Sequence, residues 1–154
     1  MTVAEMSRID RTIEINAPPE RVFRALTRAE EVSTWFRMII EGDMIAGQEV
    51  WMTATQPGYE GMRFPVRIRE ITAPRRVVWE WHPGETCADG DFSREPRTTV
   101  TFTLEAIERG TRLTVSETGF DAISLERRAK AYQDNTQGWT EVVVWLKNYV
   151  EEAR

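Results

Sequence analysis

The segment LERRAKAYQDNTQGWTEVVVWLKNYV (residues 125–150) decides the fold that this sequence predicts. Residues on one face recur at spacings of three and four, which is the period of an α-helix. This stripe consists of Leu125, Ala129, Tyr132, Thr136, Trp139, Val143, Leu146 and Val150. Gly138 inside the helix costs about 1 kcal/mol relative to alanine, so we expect a close approach to another backbone or a bend there. A helix of this length needs a broad apolar surface to cover its stripe, and a sheet provides one.

The residues before the helix predict that sheet. Short alternating segments are predicted as strands at residues 9–15, 38–41, 48–55, 62–71, 76–82, 98–107 and 112–117. Pro18 and Pro19 end the first strand and begin a short helix, and a second short helix is predicted from Arg28 to about Trp35. We therefore predict one α+β domain over residues 1–154. It has a curved antiparallel sheet of six or seven strands around a long C-terminal helix, with two short helices after the first strand.

Composition excludes several classes of partner. The net charge of −5 and the pI near 5.1 argue against nucleic acid and against an anionic membrane surface. No apolar run is long enough to serve as a signal peptide or to insert into a membrane. Cys87 is the only cysteine, which is typical of a reducing cytoplasm. We find no metal-ligand cluster and no cofactor motif, and we expect neither a metal nor a cofactor.

Strand parity predicts a cavity between the sheet and the long helix, because alternate side chains of a strand share a face. Aromatic and aliphatic side chains converge on the concave side, while the helix above them carries small or polar-tipped residues in its first half. We predict that an apolar ligand there contacts Trp51, Phe64, Val66, Trp79, Trp81, Val100, Phe102, Glu117, Tyr132 and Thr136. The alternative reading of the same pattern is an ordinary filled core.

Two carboxylates stand out, because an inward-facing charge is costly unless it is paired or hydrated. Glu117 has inward parity, and Glu49 shares the parity of Trp51. Each could be a cavity carboxylate with a raised pKa, or could lie where a strand ends and reaches water. His82 has outward parity and is predicted to lie on the surface. The polar residues 84–95 are predicted to form a mobile loop at the cavity mouth, with Phe92 as a lid and no catalytic role for Cys87.

Several segments, taken in order, resemble one known family. They are RTIEINAPPERVFRALT (residues 11–27), Trp35-Phe36, the glycine-led strand 47–52, ITAPRRVVWEW (71–81), GTRLTVSETGF (110–120), and Gly138-Trp139 continuing to Leu146 and Tyr149. This order is similar to the START/SRPBCC superfamily, in its branch resembling the C-terminal domain of the activator of heat-shock protein 90 ATPase. Ala46 stands where that branch usually has a second glycine.

The resemblance implies a helix-grip fold with a cavity for an apolar ligand, but it does not imply one chemistry, because related folds support different functions. Our leading hypothesis is the binding of a small apolar molecule. A second is a stress-response or co-chaperone-type interaction module, with a homodimer or another protein as the partner. The eukaryotic co-chaperone's additional N-terminal domain is not expected here. A third is an enzyme of the cyclase, dehydratase or hydrolase kind that uses Glu49 and Glu117 near Tyr132.

Overall fold

The computed structural model describes residues 7–83 and 95–152. In chain order the elements are β1 (Arg8–Ile15), α1 (Pro19–Thr27), α2 (Ala29–Trp35), β2 (Met38–Glu41), β3 (Glu49–Ala54), β4 (Arg63–Thr72), β5 (Arg76–Trp81), β6 (Thr98–Ile107), β7 (Gly110–Thr118), a 3-10 turn (Phe120–Ala122) and α3 (Leu125–Glu152). The predicted α+β helix-grip fold is confirmed, including the two short helices after the first strand. The predictions for Cys87, Phe92 and the loop around them fall on residues 84–94, outside the described residues.

All seven strands form one antiparallel sheet in the order β1-β7-β6-β5-β4-β3-β2. β1 and β2 are therefore the two edges, and α3 packs against β1, α1 and α2. The core lies between the inner face of the sheet and these helices. None of the helices in the described ranges is long and apolar enough to cross a membrane.

The register of β5 confirms the predicted direction of Trp79. This residue is opposite Ile68 on β4 and Val100 on β6, and all three side chains are fully buried on the inner face. A register shift between Ile68 and Glu70 places a bulge at Arg69, after which β4 continues to pair with β5. Trp81, two residues further on, is half-buried.

Trp51 and Glu49 lie on the outer face of β3, which corrects the prediction that they point inward. Met52 is opposite Phe64 and Val50 is opposite Val66, so these buried residues form the inner face. Trp51 instead lies beneath the guanidinium of Arg63, 4.1 Å from the ring centroid. The sequence misled us because the large tryptophan suggested burial, whereas the smaller Val50 and Met52 are the residues that pack against the core.

His82 is buried, with 7% of its surface exposed, and this corrects its predicted place on the surface. Parity fails here because β5 ends at Trp81, so His82 is no longer in a strand. The chain is held against the start of α3, where Arg127 donates to the carbonyl oxygen of Pro83 at 2.7 Å. Arg127 also forms a two-bond ion pair with Glu95, which connects both flanks of residues 84–94 to α3.

The predicted helical stripe holds only in the second half of α3. Trp139, Val143, Leu146 and Val150 are buried as expected, but Leu125 is 67% exposed. Arg128 and Ala131 are the buried residues of the first turns. The Arg128 guanidinium donates to the carbonyl oxygens of Asp121 and Ile123, which sets the orientation of the helix start.

The turn between β6 and β7 has no room for a side chain at Gly110. Its φ is +148°, and a Cβ placed there would lie 2.2 Å from the carbonyl oxygen of Ile15. We expect Gly110→Ala to destabilise the protein by more than about 3 kcal/mol, because backbone rather than a flexible side chain blocks the methyl group.

Gly58→Ala is the matched control. Gly58 also has a positive φ of +90°, but a Cβ there would meet nothing within 4 Å. We expect a cost of only about 1 to 2 kcal/mol from its backbone strain. Chemical denaturation of both variants measures the difference, and equal losses would contradict the close approach at Gly110.

Candidate functional site

Glu117 on β7 is fully buried and is surrounded by hydrogen-bond donors. Its Oε1 accepts from Trp139 Nε1 at 2.8 Å and from Asn135 Nδ2 at 2.9 Å. Its Oε2 accepts from Trp81 Nε1 at 2.9 Å and from Thr98 Oγ1 at 2.5 Å. The donors come from β5, β6 and α3, so this one carboxyl group connects the sheet to the long helix.

Two opposing effects act on the ionisation of Glu117. Burial raises the pKa of its carboxyl above the ordinary value of 4.5, while the hydrogen bonds from Thr98, Trp81, Trp139 and Asn135 oppose that rise. The indole N–H groups of Trp81 and Trp139 and the NH2 group of Asn135 can only donate, so these hydrogen bonds favour the carboxylate form. Because both oxygens already accept two hydrogen bonds, the arrangement positions its partners rather than leaving a lone pair for a substrate.

Three aromatic rings pack together beside this network. The ring centroids of Phe36 and Trp139 are 6.4 Å apart with their planes at 6°, and Trp81 lies 6.2 Å from Phe36 and 5.8 Å from Trp139. Phe36 follows α2, and the chain then turns into β2 at Arg37, whose φ is +57°. The Ser33 hydroxyl donates to the Met38 carbonyl oxygen across this turn.

These rings form part of the wall of a cleft of about 320 Å³. It lies between α3 on one side and the α2–β2 turn, the end of β3 and the following turn on the other. Its aromatic lining is Phe36, Tyr59, Trp81, Trp139 and Trp145. Its polar lining on α3 is Lys130, Asp134, Asn135, Gln137 and Glu141.

Gly138 lies in the helical wall of the cleft, between the polar and aromatic residues. A Cβ added there would meet nothing within 4 Å, so the glycine neither allows another backbone to approach nor relieves a clash. The expectation of a close approach is therefore wrong. The missing side chain instead leaves open space in the cleft. This space has a cost, because a glycine inside a helix lowers the stability of that helix.

A wider depression of about 700 Å³ lies near Pro18 and Pro19 and the β6–β7 turn. Of the described residues that line it, none is aromatic. Arg21 and Arg24 in its wall both form ion pairs with Glu31, at 2.8 and 3.1 Å. We therefore regard the smaller aromatic cleft as the stronger candidate.

The structure does not bring the predicted ligand contacts together at one site. Trp81 lines the cleft and Glu117 lies directly behind its wall, while Trp51 is on the outer face of the sheet. The inward sheet residues are part of the core: Phe64, Val66, Trp79, Val100 and Phe102. Tyr132 packs against Phe120, with centroids 5.5 Å apart, and Thr136 is half-buried on α3.

Sequence reasoning missed the side of α3 that faces the cleft. Asn135 and Trp139 are four residues apart and so lie on one helical face, and both carry an N–H donor. Their common partner Glu117 had inward parity, so a search for donors to that carboxyl could have found Asn135. Phe36, Tyr59 and Trp145 gave no comparable signal, because they meet only in the folded chain. In the described part of the chain, no group of three or more His, Cys, Asp or Glu side chains could hold a metal ion.

The Glu117 network predicts a pH dependence of stability with a definite sign. The folded pKa lies above the unfolded value, so between the two the folded protein binds more protons than the unfolded chain. The stability of the wild type relative to Glu117→Gln should therefore increase as the pH falls from the folded pKa towards about 4.5. The other titrating groups are common to both proteins and largely cancel in this difference.

Urea denaturation of wild type and Glu117→Gln at a series of pH values measures the effect. Glu105→Gln is the control, because Glu105 is exposed and pairs with Arg112 on the surface. A constant difference between wild type and Glu117→Gln across the acidic range would contradict a raised pKa.

This chain was compared with curated protein sequences, with solved structures and with models of protein families. Comparison with curated protein sequences finds no match. Among solved structures, a protein from Arthrobacter aurescens aligns over 99% of this chain and 90% of its own, with a TM-score of 0.77 and 19% identity. One from Mesorhizobium loti aligns over 96% and 98%, with a TM-score of 0.75 and 20% identity.

A third structure, described as the Aha1 dimer from Colwellia psychrerythraea, aligns over 94% of this chain and 96% of its own. Its TM-score is 0.71 and its identity is 19%. At such identities these structures support the fold alone. The family model described as activator of Hsp90 ATPase homolog 1-like protein matches residues 16–151, which is most of the chain. This protein therefore belongs to the activator of Hsp90 ATPase homolog 1-like family.

Proposed function

We propose that this protein binds a small, largely apolar molecule in the aromatic cleft beside α3. The observation that carries the proposal is the open space at Gly138 in a cleft whose lining, among the described residues, includes five aromatic side chains. A volume of about 320 Å³ lies at the lower end of the range for small-molecule sites, about 300 to 1,000 Å³. Aromatic walls with a few polar groups at the rim are typical of such sites.

The Glu117 network supports the proposal because it holds the walls of the cleft in place. Trp81, Asn135 and Trp139 each line the cleft and each donate to the same carboxyl group. A site whose walls are held before binding loses less conformational entropy when a ligand arrives. The ligand-binding role predicted for the core residues of the sheet stays a prediction, as does the cytoplasmic location based on the single cysteine.

A variant that fills the cleft tests the proposal. N-phenyl-1-naphthylamine is a neutral apolar probe whose fluorescence increases in apolar surroundings. We expect wild type to bind it and Gly138→Leu to bind it at least about tenfold more weakly, because the leucine side chain occupies the open space.

Asn148→Leu is the control, since Asn148 is exposed on α3 and is not part of the cleft. This variant adds a leucine to the same helix and should bind like wild type. Circular dichroism and thermal melting confirm that each variant is folded. Equal probe affinity in folded Gly138→Leu and wild type would refute the cleft as the binding site.

Self-association is a second candidate function, in line with the interaction-module hypothesis. Ile39 is 55% exposed on β2, the edge strand of the sheet, and Ile45 beyond it is 47% exposed. An apolar edge strand is a ready surface for pairing with another chain. The dimeric description of the Colwellia structure adds support.

Sedimentation equilibrium measures the association directly. If the edge strand mediates it, Ile39→Glu should weaken the dimer at least about tenfold, because it buries a charge at the interface. Leu125→Glu, at the exposed start of α3, should leave it unchanged. A wild-type protein that stays monomeric at high concentration excludes this candidate.

A further inference from the structure

The rim of the cleft carries a carboxylate without a nearby positive partner. Glu141 is exposed on α3, and the hydrogen bond it receives comes from the neutral amide of Gln137, at 3.1 Å. No positive side chain of the described residues lies within salt-bridge distance of it. The other rim carboxylate, Asp134, is already paired with Lys130 at 2.9 Å. Glu141 is therefore the rim group best placed to attract a positive charge.

The aromatic walls are also suited to a positive charge. The face of an indole or phenol ring is negative and attracts cations. Trp81 and Trp139 both donate their N–H to Glu117, which fixes the orientation of the two rings in the wall of the cleft.

The protein already contains one cation on an aromatic residue of this cleft. The Arg37 guanidinium lies 4.0 Å from the ring centroid of Trp145. Arg37 is not among the residues that line the cleft. The exposed Tyr59 and the part of Trp81 that faces the cleft remain as accessible ring surface for the positive group of a ligand. Trp81 is half-buried and also packs against Phe36 and Trp139.

We infer that the ligand of this cleft is a hydrophobic organic cation, an ammonium group attached to an apolar body. The apolar body occupies the space beside Gly138, and the ammonium group lies between the accessible rings and the Glu141 carboxylate. This inference rests on the proposed function of the cleft, and it adds the charge of the ligand. An anion would meet the Glu141 carboxylate on the rim, where the ammonium group of Lys130 is already paired with Asp134, and a neutral molecule would leave the Glu141 carboxylate unused.

A pair of probes with the same shape and different charge tests the inference. Benzyltrimethylammonium and neopentylbenzene differ in that a quaternary nitrogen replaces a carbon. Each is titrated into wild-type protein while the indole N–H resonances of Trp81 and Trp139 are followed by NMR. We expect the cation to bind at least about fivefold more tightly than its neutral isostere, which is the size of a typical cation–π contribution.

Matched charge variants locate the preference. Glu141→Gln should reduce the ratio of cation to neutral affinity at least about threefold by removing the rim charge. Glu126→Gln is the control: it changes the net charge by the same amount, but Glu126 is exposed at the start of α3, outside the cleft. It should leave the ratio unchanged, and an equal reduction in both variants overturns the assignment of Glu141.

The outcomes separate this inference from the proposed function. Phenylacetate, an aromatic anion, is titrated as a third probe. If the neutral isostere binds as tightly as the cation, or phenylacetate binds more tightly than both, the preference for a cation is overturned while ligand binding in the cleft stands. If none of the three probes binds wild type, and Gly138→Leu does not alter binding of N-phenyl-1-naphthylamine, both are overturned. A cation preference lost in Gly138→Leu and reduced in Glu141→Gln supports both.

Discussion

The carboxyl group of Glu117 connects the two layers of this protein. It lies on β7 and receives hydrogen bonds from β5, β6 and α3, so the sheet and the long helix meet at one buried polar group. An unpaired carboxylate in that position would cost several kcal/mol, which makes the surrounding donors necessary rather than incidental. The position and tilt of α3 are therefore constrained by hydrogen bonds as well as by apolar packing.

This constraint shapes the cleft. Two indole N–H groups are turned towards Glu117, which fixes the orientation of the rings of Trp81 and Trp139. Phe36 stacks on both rings, and so the end of α2 is tied to the same cluster. The cleft remains open where the helix offers no side chain, at Gly138. A folded protein normally fills such space, because interiors pack at the density of organic crystals.

The aromatic residues lie in three different surroundings. Trp79 and Phe102 are fully buried and contact each other edge to face, with centroids 4.7 Å apart, so they belong to the packed core. Trp81 and Trp145 are half-buried at the cleft, and Trp51 lies on the outer face of the sheet beneath Arg63. Tryptophan combines a large apolar ring with one polar N–H, which suits it to all three environments.

The local sequence pattern was enough to predict the strands, the short helices that follow Pro18 and Pro19, the long C-terminal helix, and the inward direction of Trp79 and Glu117, because each depends on residues close together along the chain. It failed for Trp51, His82 and Leu125. Strand parity separates the two faces of a strand but does not say which face is buried, which explains the error for Trp51. The alternation ends where the strand ends, which explains the error for His82. The start of α3 is positioned by the contacts of Arg128, and these leave Leu125 exposed. Only the tertiary structure decided the location of the cleft, because Phe36, Tyr59, Trp81 and Gly138 come from distant segments. Their approach depends on how α3 settles on the sheet, and the donors around Glu117 set that position through contacts no local pattern encodes.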